Sequence, residues 1–302
     1  MGSPGKTLYI KKRGVHMNVT LKLTILMAAL LMIFSSAALA TEPCTAVYGS
    51  TDKIFRLATG SPGELGLLEE LANIFNDEHG TTLCWVKAGS GKSLKLLQEG
   101  QVDIAMVHAP AGEKKAVADG WAIKRSLIGS NEFYIVGPKN DPAGIAKATS
   151  AADAYAKIAA AKALFLSRGD NSGTHKKEMG IWATAKIAPA GDWYVITKEF
   201  MMATLKKADD GKGYFMTDSS TWAAGKKELK NTQVLFKGDP VLINTYHGLC
   251  RPEGAGPAQV YASDFIDFLN SDQGQQIIRD YGKALHGEAM YNDAAYARQY
   301  DH

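Results

Sequence analysis

Cysteine is scarce, with three in 302 residues, and no two of them lie within a few positions of each other. That excludes a disulfide-dense scaffold and the close thiol pairs of a structural zinc site. An excess of one charge sign is also missing. The 34 Lys+Arg face 31 Asp+Glu, a formal net charge of +3, which speaks against a nucleic-acid binder. Beyond the first forty residues there is no apolar run of about 18 residues, so no membrane span is expected there. No internal repeat, low-complexity tract or collagen-like or coiled-coil pattern is present. What remains is 46% apolar and 22% charged, an ordinary globular mix. The length suffices for one large two-lobed domain or two modest ones.

Residues 1–40 hold five basic residues and no acid. Leu23–Phe34 is almost wholly apolar, and the stretch closes on Ser35-Ser36-Ala37-Ala38-Leu39-Ala40. A basic front, a short apolar run and an Ala-x-Ala ending describe a secretory signal peptide, too short for a comfortable membrane anchor. Met17 is an alternative start. Without these residues, 29 basic residues face 31 acidic ones, about −2. The expected location is periplasmic or secreted. In an oxidising compartment, one disulfide and one spare thiol are expected among Cys44, Cys84 and Cys250, and spacing leaves the pairing open.

From Ile54 onward short strands and helices alternate, which argues for an α/β fold with a mostly parallel sheet. Ile54–Thr59 reads as a strand. Ser61, Pro62 and Glu64 mark the start of a helix carrying Leu67, Leu68, Leu71, Ile74 and Phe75, stopped at Gly80. Further strands are expected at Leu83–Lys87, Val102–Val107, Phe133–Val136, Ala163–Leu166, Gly213–Met216 and Val241–Asn244. The last strong helix is expected from about Ala262 to Tyr281.

Three loops share one design, in which a strand ends, small or hydroxyl residues turn, and a helix begins. They are Thr59-Gly60-Ser61, Gly89-Ser90-Gly91-Lys92-Ser93, and Ser167-Arg168 with Asn171-Ser172-Gly173-Thr174. In an open α/β sheet such loops lie at the carboxyl ends of strands, where ligands bind. Helix starts offer free N–H groups and partial positive charge, hydroxyls add donors, and Arg168 adds a planar fork. Together they suit a small oxyanion. Gly89–Ser93 imitates the end of a phosphate-binding P-loop, but Val86 stands where that motif needs glycine. His79, His108, His175 and His247 lack metal-site spacing, so no metal or other cofactor is expected. His108, at the end of an apolar strand on the cleft side, reads as a packed or hydrogen-bonded histidine rather than a ligand contact, and His175, in the first turn of a helix, as neutral and structural.

Several segments then carry a resemblance. Ser167-Arg168-Gly169-Asp170-Asn171-Ser172-Gly173-Thr174-His175-Lys176-Lys177-Glu178 is similar to the signature segment of periplasmic tungstate-binding proteins of ABC transporters. Asp103–Pro110, Phe133–Ile145, Gly191-Asp192-Trp193-Tyr194 and Thr217-Asp218 match the same family, and Phe265–Ile278 resembles the last helix of many two-lobed solute binders. The resemblance implies a two-lobed type II periplasmic-binding-protein fold, with two Rossmann-like lobes joined by two crossing strands. Lobe one would be residues 41–137 plus 242–302, and lobe two residues 138–241. It implies a small anionic ligand, tungstate or a related oxyanion, held at Thr59, Ser61, Ser90, Arg168, Ser172 and Thr174. It further implies an ABC permease as partner, a monomer, and no nucleic acid. The family's Thr-Thr-Thr-Ser run is replaced here by Ala58-Thr59-Gly60-Ser61, so another oxyanion or a small organic anion is the alternative. The fold places the second strand at a sheet edge within reach of the N-terminal extension, which favours Cys44–Cys84. A hydrolase built on Ser172, His175 and Asp170 is disfavoured, because triad partners normally converge from separate segments.

Overall fold

The computed structural model describes Met1, Gly2 and residues 41–301. All but the first two residues of the expected signal peptide lie outside the described residues.

In chain order the first elements are β1 (Ala46–Tyr48), β2 (Ile54–Thr59), α1 (Ser61–Glu64), α2 (Leu67–His79), β3 (Thr82–Lys87), α3 (Ser90–Gln98), β4 (Ile104–Val107), α4 (Pro110–Ala118) and the long β5 (Ile123–Pro138). Next come α5 (Ala151–Ala161), β6 (Phe165–Ser167), α6 (Gly173–Thr184), β7 (Tyr194–Ile196), α7 (Met201–Gly211), β8 (Phe215–Asp218), α8 (Ser219–Gly225) and β9 (Thr232–Phe236). The chain then returns through β10 (Ile243–Cys250) to α9 (Gln259–Asn270) and α10 (Asp272–Asp280).

The main sheet runs in the order β1-β3-β2-β4-β10-β5. Only β3, β2 and β4 are mutually parallel, and β1, β10 and β5 join them antiparallel. The expectation of a mostly parallel sheet is therefore corrected. The cause is the double crossing: β5 leaves the first lobe and β10 re-enters it, side by side in opposite directions. The last residues of β5 pair with β8 and β9, so one strand serves both lobes. β6 and β7 form a separate parallel pair.

Two faces of the main sheet are covered. Phe55, Leu68, Leu71, Phe75 and Phe265 pack on one side, and Leu94, Leu97, Val107 and Ala116 on the other. A separate core, drawn wholly from residues between Phe133 and Leu242, centres on Phe165, Trp182, Tyr155 and Phe215. Full burial of side chains of this size stabilises by about 1.5–3 kcal/mol each.

Two expected helices are each divided. Gly66, at φ +88°, separates α1 from α2, and α1 starts from Gly60 with no side-chain cap. Ser61 is thus not the cap that its position suggested. Ser271 adopts extended backbone and caps α10 by accepting the Gly274 N–H at 3.2 Å, which ends α9. The extended β5 exceeds the expected Phe133–Val136 because its first half is polar and only half-buried. Cys44 and Cys84 form a disulfide that clamps the segment before β1 to β3, and Cys250 is free and buried. β1 pairs along the outer side of β3, so β3 is not the sheet edge that was expected. Among the described residues no helix is long and apolar enough to cross a membrane.

Candidate functional site

The parallel strands β2, β3 and β4 end side by side. Thr59 and Lys87 are register partners, and the Ala88 N–H donates to Thr59 O at 3.0 Å. The chain following each strand turns at the same edge, which brings Ser61, Ser90 and His108 to one region. Ser90 Oγ accepts the His108 N–H at 3.2 Å, which leaves its own hydrogen to donate elsewhere. Thr59 differs: its hydroxyl donates to Met106 O at 2.8 Å. Ser61 Oγ donates a long 3.4 Å bond to Asp218 Oδ2, at the start of α8.

The second lobe contributes the loop between β6 and α6. Ser172 caps α6 by accepting the His175 N–H at 3.3 Å. Arg168 is only 4% exposed, yet among the described residues its sole acidic partner is Asp170, whose Oδ2 accepts from Nε at 3.1 Å and Nη2 at 2.6 Å. No described residue accepts from Nη1. Thr174, in the first turn of α6, is buried and its hydroxyl has no partner. A buried guanidinium with open donors and an orphaned hydroxyl beside a helix N-terminus call for an acceptor.

The two loops meet through glycine. A Cβ on Gly89 would lie 3.1 Å from Ser172 Cβ and 3.9 Å from Arg168 Nη2, and one on Gly91 would lie 2.8 Å from Asn171 O. Gly173 packs onto the His108 ring in the same way. Of the six sequence-predicted residues, Ser90, Arg168 and Ser172 are thereby drawn into one neighbourhood, and Thr174 follows Ser172 in the first turn of α6. Thr59 and Ser61 stand at the adjoining strand end with their hydroxyls engaged.

Several residues here escaped sequence reasoning. Lys87 Nζ lies 3.0 Å from Glu64 Oε1, so the acidic residue near the site is neutralised. The same Nζ sits 4.3 Å from the centre of the Phe200 ring, and the Arg168 guanidinium lies 5.4 Å from it. Lys87 was recognisable as the residue before the Ala88-Gly89-Ser90 turn. Phe200 carries no local signal.

A polar chain crosses the hinge. His108 Nδ1 lies 2.8 Å from Asn244 Oδ1, Asn244 Nδ2 donates to Asn131 Oδ1 at 2.8 Å, and Asn131 Nδ2 donates to Ser220 Oγ at 2.9 Å. Ser220 donates in turn to Asp218, which also takes the Thr221 N–H. Asn131 and Asn244 are register partners on β5 and β10. Burial pushes the His108 imidazole down to about 3, so the ring is neutral, and Arg168 and Lys177 push the same way. Burial also lowers His175. Its Nδ1 accepts the Asn171 N–H at 3.1 Å rather than the Ser172 hydroxyl, so Ser172, His175 and Asp170 do not form a nucleophilic triad. Among the described residues no group of three or more His, Cys, Asp or Glu side chains could hold a metal ion.

Comparisons with known proteins agree with this architecture. A PBP superfamily domain model matches residues 45–273. The tungstate-binding protein TupA of Peptoclostridium acidaminophilum is 32% identical over 246 residues, 80% of this chain and 86% of that protein. The crystal structure of the tungstate ABC transporter from Geobacter sulfurreducens superposes with a TM-score of 0.70 at 36% identity, covering 77% of this chain and all of that one. The tungstate-binding protein TupA from Desulfovibrio alaskensis G20 gives 0.66 at 36% identity, over 80% of this chain and 98% of that one. On these matches the chain belongs to the PBP superfamily and, within it, to the tungstate-binding solute-receptor family of ABC transporters.

Proposed function

We propose that this chain captures a fully ionised tetrahedral oxyanion of the tungstate type between its lobes, outside the cytoplasmic membrane, and delivers it to an ABC permease. One observation carries the reading: the buried Arg168 fork is only partly used by Asp170, and its Nη2 lies 3.9 Å from where a Gly89 Cβ would stand, at the facing turn that bears Ser90. Ser90 adds a hydroxyl hydrogen from the facing lobe. The first turn of α6 adds N–H groups and the helix dipole. Ser61 can exchange its long bond to Asp218 for the ligand. Thr59, whose hydrogen goes to Met106, shapes the strand end. The lobe boundaries near residues 137 and 242 follow from the two crossings, and the hinge lies in β5 and at the start of β10. Closure is then a population shift favoured by contacts that the ligand makes to both lobes at once.

The relatives' names support tungstate over an organic anion. The site itself supports an anion held by donors rather than by bulk charge, since the chain beyond residue 40 is close to neutral. Titration calorimetry of the purified protein with tungstate, molybdate, sulfate and phosphate is the test. Saturable one-to-one binding of tungstate is expected, and Arg168→Ala should weaken it more than tenfold, because a buried charge-assisted contact is lost. No heat with any of the four would exclude the reading.

A further inference from the structure

We infer that Asp170 is a positioning residue for anion capture: its carboxylate fixes the Arg168 fork and, by holding the Ser172 amide, the start of α6 in the places from which the open guanidinium donors and the next N–H groups of the helix meet the ligand. The inference rests on the oxyanion reading above and assigns a role to a residue of opposite charge to the one that site favours. A carboxylate beside an anion site would ordinarily weaken it by Coulomb repulsion. The hydrogen bonds point the other way.

Asp170 Oδ2 takes both Nε and Nη2 of Arg168, the side-on edge of the guanidinium. A guanidinium is planar and rigid, so holding one edge fixes the direction of all the remaining donors. Nη1 is left without a described acceptor, and Nη2 lies 3.9 Å from the position a Gly89 Cβ would occupy, at the turn bearing Ser90. Phe200 covers a face of the same guanidinium. Oδ1 accepts the Ser172 N–H at 3.1 Å, and Ser172 is the cap of α6. One carboxylate therefore joins the arginine to the helix start, two residues away in sequence on either side, and sets their separation.

Burial raises the Asp170 carboxyl, but Arg168 and Ser172 outweigh that and hold it below the usual carboxylate range. It is thus ionised and engaged at neutral pH. An asparagine cannot replace it. Its amide end would set donor against donor on either the Arg168 edge or the Ser172 N–H.

Calorimetry with sodium tungstate tests this on the purified protein and on Asp170→Asn, Arg168→Lys and the double variant. Asp170→Asn should weaken tungstate binding at least tenfold although it removes a negative charge. The double variant should bind about as well as Arg168→Lys alone, because the carboxylate acts through the guanidinium. General damage to the loop would instead make the two losses add. Should Asp170→Asn fail to fold, Asp170→Glu keeps the charge but displaces the fork, and should weaken binding severalfold. Tighter or unchanged binding by Asp170→Asn, additive losses, or an unaffected Asp170→Glu would each overturn the inference. Tungstate binding absent from the wild type would overturn the oxyanion reading first.

Discussion

A Cβ placed on Gly89 would stand 3.1 Å from the Cβ of Ser172, although the two residues hang on different hydrophobic cores. Gly89 has φ −73° and ψ 159°, a conformation open to any residue, so it is the space and not the backbone that crowds a side chain there, and a branched one most. Gly89→Val should therefore leave the ligand-free protein as stable as before while holding the lobes apart. Tungstate affinity should fall about tenfold or more with little change in the unfolding temperature. Unchanged affinity would remove this contact from the closed form.

Glu178 is a buried carboxyl with no cationic partner among the described residues. It accepts from Ser167 Oγ at 2.8 Å, Tyr194 OH at 2.7 Å and Trp182 Nε1 at 3.2 Å. Burial still raises it, from 4.5 to about 7, with Asp170 acting in the same direction. Because the folded form holds the proton more tightly than the unfolded form, stability from this group falls as pH rises from about 4.5 to about 7 and is flat beyond. The loss is of the order of 3 kcal/mol at most. Denaturant unfolding of wild type and Glu178→Gln at pH 5 and pH 8 should show the glutamine variant gaining on wild type at the higher pH. Parallel pH dependence would contradict this.

The Cys44–Cys84 disulfide closes a loop with a sequence separation of 40. On the chain-entropy account its removal costs about 4 kcal/mol. Cys44→Ser, or reduction, should lower the denaturant midpoint accordingly, and Cys250→Ser should not reproduce the effect. Mapping that placed Cys250 in the disulfide would refute the pairing.

Asn244 ties His108 to Asn131 across both crossing strands. Asn244→Leu would strand two buried polar groups at once, each costing about 1–3 kcal/mol. A loss of that size in unfolding free energy is expected, together with faster tungstate release, since the hinge loses its shared hydrogen bonds. Unaltered stability would show that the chain of bonds is not formed.

Local signals in the sequence were enough for the strand–turn–helix order and for the three hydroxyl-bearing loops, because each loop is a contiguous run. Ser90, Arg168, Ser172 and Thr174, proposed here as ligand contacts, stand out in the sequence for that reason. Non-local features were not. The polar first half of β5 hides a strand whose partner lies more than a hundred residues away at β10. Gly66 and Ser271 split helices whose apolar periodicity runs straight through them. Phe200 gains meaning only by packing between Lys87 and Arg168, and Asp170 only by the direction of its two oxygens. The bond from the Thr59 hydroxyl to Met106 O, between strands, likewise leaves no trace in the local sequence.

The most direct measurement is calorimetric titration of the purified protein with sodium tungstate at neutral pH, alongside Arg168→Ala. Saturable one-to-one binding by the wild type, weakened more than tenfold in the variant, is the predicted result. No binding by the wild type, or equal affinity in both, would contradict the account.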